Sequence, residues 1–154
     1  MNVRNRMPFA PKLLVFLHLL LGIGAIFGGS VLIIDPSGAL IKIPISLLEY
    51  SPFNSFLIPG IILFIILGII PSIVAFALVT KWQNKAADRL NIFKEKLWSW
   101  TYSIYISFAL IIWITLEAFF IKDIVIIHVI YIFLGLAIQA VTLLPSVQKY
   151  YTKG

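Results

Sequence analysis

The segment FLIPGIILFIILGIIPSIVAFALVTKWQNKAADRLNIFKEKL, residues 56–97, decides the fold. From 56 to 80 it carries no charged side chain. It then turns abruptly basic, with Lys81, Lys85, Arg89, Lys94 and Lys96 set against Asp88 and Glu95. About 20 apolar residues in a helix cover the hydrocarbon of a bilayer. A helix also satisfies its own backbone hydrogen bonds where no water can. A basic stretch just beyond such a run marks the cytoplasmic side. The segment therefore reads as a membrane span that ends at the inner surface.

Working outward, three more runs of this kind appear, at about 13–34, 101–121 and 124–144. The whole chain, 1–154, reads as one integral membrane domain. It is an all-α, four-helix transmembrane bundle with an outer loop at 35–55 and a basic inner loop at 81–97. Composition agrees, with 61% hydrophobic and 12% charged residues, where soluble domains carry roughly twice that charge. Of the 12 Lys and Arg residues, only Lys42 and Lys122 fall outside the inner flanks. Arg4, Arg6 and Lys12 precede the first span, and Lys149 and Lys153 follow the fourth. Both termini are expected in the cytoplasm. The net charge of +6 belongs to these flanks, so a nucleic-acid partner is not expected. Trp82, Trp98, Trp100, Tyr150 and Tyr151 are expected in the inner interfacial belt. The first apolar run is longer than a signal-peptide core and lacks a small-x-small cleavage site, so we expect it to be retained.

The connections carry local signals. Lys122-Asp123 leaves so little chain between spans three and four that they are antiparallel neighbours. Asp35-Pro36-Ser37-Gly38 is a turn. Residues 43–50 suit a short interfacial helix with Leu47 and Leu48 in lipid. Ser51-Pro52 reads as a helix cap followed by a first-turn proline. Pro59-Gly60 disturbs the start of span two, and Pro71 kinks it. The basic inner loop is expected on the anionic leaflet.

Polar residues inside spans are the candidate sites. Glu117 lies about one turn from the outer end of span three, with Trp113, Ala109, Tyr105 and Tyr102 on its face. An intramembrane carboxylate is costly and marks function by default; the alternative is that it reaches outer water. His128 lies near the same end of span four, within reach of a pairing with Glu117. His128, Tyr131, Gly135, Gln139, Thr142 and Ser146 share one stripe, either a helix–helix interface or the wall of a polar cavity. Asp35, Glu49 and Asp123 make the outer mouth acidic. The candidate ligand site is Glu117, His128, Trp113, Tyr131, Asp35 and Glu49. His18, in the inner half of span one, is level with Gln139, and a hydrogen bond between them is expected. Gly24 and Gly28 form a GxxxG that brings helices close, within the bundle or in a homo-oligomer.

No catalytic residue is assigned. Cys is absent, so thiol redox chemistry and Cys-ligated metals are out. There is no HExxH, GxSxG or Walker loop, and no metal or cofactor is expected. The segment 35–72 resembles a set of small bacterial four-span membrane proteins of unassigned function. The likeness is carried by the DPSG turn at 35, SPF at 51, LIPG at 57, the proline beyond, and a basic tail after Pro145. The hydropathy is also distantly similar in architecture to the DoxX-like group. The resemblance implies a multi-pass protein of the bacterial inner membrane and no activity. Its expected partners are the lipid bilayer and either a lipid-like or small apolar ligand or another membrane protein. A small proton-coupled transporter or channel using Glu117 is the alternative.

Overall fold

The computed structural model describes residues 6–154; Arg4 of the basic flank lies outside them. The described residues are helical, with no strand beyond a single bridge between Lys96 and Thr152. The element order is α1 (Phe9–Ile34), two 3-10 turns (Ala39–Ile41 and Ile45–Leu48), α2 (Leu57–Ile62), a π-helical stretch (Leu63–Ile69), α3 (Ile70–Thr80), α4 (Lys85–Arg89), α5 (Trp98–Ile121), α6 (Ile126–Thr142) and α7 (Pro145–Tyr150). Among the described residues, three helices are long and apolar enough to cross a membrane: α1, the continuous Leu57–Thr80 rod, and α5. α6 is apolar but shorter, at 17 residues.

Several expected bounds move. α1 begins at Phe9, with Pro11 in its first turns, where a proline has no intrahelical bond to lose. The rod begins at Leu57, so Ser51 does not cap it. The Ser51 hydroxyl instead donates to the Leu48 carbonyl at 2.9 Å and closes the loop on itself. Pro71 acts by widening the helix. The Ile70 N–H donates five residues back, to Ile65, and the Ser72 hydroxyl donates to the Gly68 carbonyl at 2.8 Å. A proline removes one donor from the ladder, and a local π stretch is one way to absorb it.

The widened rod lies against α1. Glycines on both partners permit the close crossing. A Cβ at Gly29 would stand 2.6 Å from the Phe64 nitrogen and 2.8 Å from the Gly60 carbonyl oxygen. A Cβ at Gly68 would stand 3.0 Å from the Ile26 nitrogen. α6 packs along α5 and α1, and Gly135 sits against Ile111 and the Ser107 carbonyl. Gly135 and Thr142 of the stripe on α6 are buried where the helix meets its neighbours. Ser146 falls beyond the helix and is exposed.

The aromatic belt needs correction at three positions. Trp98, Trp100 and Tyr151 are buried. Each sends its polar atom to a main-chain carbonyl: Trp98 to Trp82 at 2.7 Å, Trp100 to Thr142 at 2.9 Å, and Tyr151 to Leu78 at 3.1 Å. Thr142 and Leu78 lie in last turns, where carbonyls lack helical partners. These rings tie helix ends together at the basic end of the bundle, and burial pushes the Tyr151 hydroxyl up in pKa.

Candidate functional site

At the opposite end, the segment 35–56 folds into a roof. Asp35 organises its first turn. Its carboxylate accepts from the Ser37 N–H at 3.1 Å, from the Ser37 hydroxyl, and from the Leu40 N–H at 2.6 Å. These bonds hold its pKa below the usual carboxylate range, the Ser37 hydroxyl first. Gly38 takes a left-handed φ of 80°. A Cβ there would stand 2.6 Å from the Ile43 carbonyl oxygen and 2.9 Å from the Phe56 ring. The Phe56 N–H donates to the Pro36 carbonyl at 2.9 Å, which closes the base. The roof is pinned to the α5–α6 hairpin. Lys122 Nζ lies 3.3 Å from the centre of the Tyr50 ring, and Phe53 meets Phe120 edge to face at 6.3 Å. Cation–π and T-shaped contacts are each worth about 1 kcal/mol.

Beneath this roof is a cavity of about 320 Å³. Leu47, Leu48, Phe53 and Phe56 come from the roof, Leu63 from the rod, and Trp113 and Glu117 from α5. His128 closes it from α6. A second chamber of about 200 Å³ runs deeper, past Tyr131, Gly24 and Gly28. Glu117 and His128 line both. Tyr131 lines the deeper chamber and Trp113 the upper one. Leu47 and Leu48, expected in lipid, line the cavity instead.

No family model, curated protein or solved structure matches this chain. What the site can do therefore rests on its own chemistry.

Glu117 makes no hydrogen bond or ion pair among the described residues, so the pairing within reach of His128 is not formed. Instead His128 Nδ1 accepts from the Val125 N–H at 3.3 Å. That bond sits at the start of α6 and turns the ring to serve its own helix. A neutral imidazole that accepts at Nδ1 carries its proton at Nε2. The two chambers thus meet at one hydrogen-bond donor and one carboxyl group within apolar walls. An apolar pocket with few polar groups is the usual form of a small-molecule site.

Asp35 and Glu49 do not line either chamber. Asp35 is committed to the turn, and Glu49 is exposed. Asp123 does line the upper one. His18 and Gln139 are not joined either. The His18 ring bonds to the Leu14 carbonyl through Nδ1 at 2.9 Å, and its buried Nε2 has no partner. Gly24 and Gly28 face within the chain, toward the Tyr131 hydroxyl and Leu63. Among the described residues, no group of three or more His, Asp and Glu is placed to hold a metal.

Sequence reasoning missed the roof residues Ile43, Phe53 and Phe56 as cavity walls. The available signal for Ile43 and Phe53 was their apolar character in a loop outside any span, while Phe56 was counted as the first residue of span two. It also missed the folded state of the basic loop. Asn91 is 1% exposed. Its amide donates to Asp88 and to the Lys96 carbonyl, while its oxygen accepts from Thr101 and from the Phe93 N–H.

Proposed function

We propose that this chain is a non-enzymatic, four-span protein of the bacterial inner membrane with both termini in the cytoplasm. In this reading it binds a lipid-like or small apolar ligand in the Glu117/His128 cavity. One observation carries the reading: a loop-roofed apolar cavity whose few polar groups include an unpaired carboxyl group. An amine or hydroxyl head suits Glu117, and a carbonyl or ether suits His128 Nε2–H. The apolar body of the ligand fits the deeper chamber. The spans and orientation are supported by three long apolar helices and by the placement of Lys and Arg. α6, at 17 residues, sits at the short limit for crossing, and apolar Ile124, Val125, Leu143 and Leu144 extend it.

The test is native mass spectrometry of the purified protein, wild type beside Glu117→Gln and Ile43→Trp. A copurified apolar molecule is expected on the wild type. Its occupancy should fall about two- to tenfold in Glu117→Gln, because a hydrogen bond is worth about 0.5–1.5 kcal/mol. Ile43 lines both chambers, so the tryptophan should block binding by volume. Equal occupancy in all three proteins sinks the reading.

A proton-coupled transporter is the second reading, favoured by the lack of a partner for Glu117. Against it, the deeper chamber ends on Leu21, Leu67 and Leu110, all 0–1% exposed. A proton path would have to cross these three apolar side chains. Flux in liposomes that is lost in Glu117→Gln would reinstate it.

A further inference from the structure

A second concave site lies at the basic end. α4, the residues just before α5 and the C-terminal Lys153 enclose a cleft of about 520 Å³. Lys85, Arg89, Lys94 and Lys153 line it, with one carboxylate, Asp88, and the ring of Trp98. Four cations face one anion, and that anion is already engaged. Lys153 Nζ lies 2.9 Å from the Asp88 carboxylate, and the Asn91 amide donates to the same oxygen at 2.9 Å. Lys94 is engaged as well, donating to the Asp88 main-chain carbonyl at 2.7 Å. Lys85 and Arg89 make no hydrogen bond or ion pair among the described residues.

The cleft is built rather than left to a flexible loop. Asn84 caps α4 through the Ala86 and Ala87 N–H groups, at 2.9 and 3.2 Å. Asn91 anchors the turn after α4 to Thr101 of α5. The Lys153 N–H donates to the Glu95 carbonyl at 2.8 Å, and Lys96 Nζ donates to Thr152 at 2.8 Å. The backbone that carries Lys85 and Arg89 is therefore fixed before a ligand binds, which lowers the ordering cost. Arg89 offers a planar fork suited to phosphate oxygens, and Lys85 a point charge.

We propose that this cleft binds the phosphate headgroup of an anionic phospholipid, with Lys85 and Arg89 as the principal cations. Lipid is favoured over a soluble phosphate by what flanks the cleft. Leu90 and Ile92, immediately after Arg89, are 68% and 69% exposed. Large apolar side chains beside cations suit the boundary between headgroups and acyl chains. Basic clefts between helices on the cytoplasmic side are a recognised form of headgroup site. The inference rests on the membrane-spanning reading and is independent of the Glu117 cavity.

The test is native mass spectrometry in mild detergent, with phosphatidylglycerol and phosphatidylcholine of identical acyl chains. Wild type should retain phosphatidylglycerol several-fold over phosphatidylcholine, and less so as salt is raised. Lys85→Gln/Arg89→Gln should lose about tenfold in phosphatidylglycerol binding, near the phosphatidylcholine level. Lys12→Gln/Lys149→Gln removes the same net charge elsewhere and should keep the preference. Glu117→Gln should also keep it, which separates this site from the cavity. Both substituted cleft residues are exposed, and unchanged circular dichroism should confirm the fold. Equal binding of the two lipids, or full binding by the double variant, overturns the proposal. Displacement of the lipid by millimolar inorganic phosphate would assign the cleft to a soluble anion and overturn it too.

Discussion

Asn91 shows how much one side chain can organise. It serves four groups from a nearly fully buried position, and two of them belong to segments that would otherwise be loose. An alanine there leaves the Thr101 hydroxyl and the Lys96 carbonyl without that partner in a dry site. Each orphaned polar group costs about 1–3 kcal/mol, so Asn91→Ala should destabilise by about 2–4 kcal/mol, read as a lower melting temperature in detergent. Asp88, its partner, gives a pH dependence. The Asn91 amide first, then Lys153, holds its carboxyl below the usual range. A depressed carboxyl contributes stability that is complete above the unfolded pKa of about 3.9. That stability is lost as pH falls through the lower folded value. Tryptophan fluorescence, reporting Trp98 in the cleft wall, should therefore stay constant from pH 7 to 5 and shift only below about 4. Asp88→Asn should remove that low-pH shift. The sequence marks Asn91 only as one polar residue in a basic loop. Its partners become visible only when residues 88, 96 and 101 converge. His18 teaches the converse: level depth suggested Gln139, but the nearer acceptor was a carbonyl one turn back on its own helix.

At the scale of elements, glycine position decides which helix contact is tight. Both Gly28 and Gly29 lie on α1, yet only Gly29 meets backbone across the crossing. Gly29→Ala forces its methyl into the Phe64 nitrogen and the Gly60 carbonyl, and neither can move without separating α1 from the rod. The expected loss is about 1–3 kcal/mol, the usual cost of overpacking. Gly28→Ala meets only a Leu63 methyl at 3.4 Å and should be near neutral. Paired thermal melts check the contrast. A melt lowered more by Gly28→Ala would mean that its GxxxG face is used elsewhere, as in a homo-oligomer. The long helices were legible because charge-free apolar runs have few ways to satisfy their backbone. Their ends were less so. Pro11 and Lys12 look like flank in sequence but fit within the first turns of α1. The π-helical stretch was legible only as a disturbance at Pro71, because a proline breaks a ladder without saying how the turns nearby adjust.

For the whole molecule, the two ends carry opposite chemistry, and that asymmetry is the strongest functional signal in the chain. The acidic end bears the roofed cavity, and the basic end bears the lysine–arginine cleft. The cavity was half legible. Glu117, His128 and Trp113 stand out as polar or aromatic groups within apolar runs. The roof did not, since nothing local says that 43–56 folds back over 113–128. The orientation we propose puts the roof outside the cell and the cleft inside it. The natural absence of cysteine makes this directly measurable. Ser46→Cys lies on the exposed surface of the roof, Lys85→Cys at the cleft, and Gly154→Cys at the terminus. In intact cells a membrane-impermeant maleimide should label Ser46→Cys alone. After permeabilisation all three should react. If α6 does not cross, Gly154→Cys should instead label in intact cells while Lys85→Cys stays protected, because the terminus would then share the side of the roof. Labelling of Lys85→Cys with protection of Ser46→Cys would invert the whole protein. It would also place the cleft on the outer leaflet, where anionic lipid is scarcer and a headgroup site of this charge has less to bind.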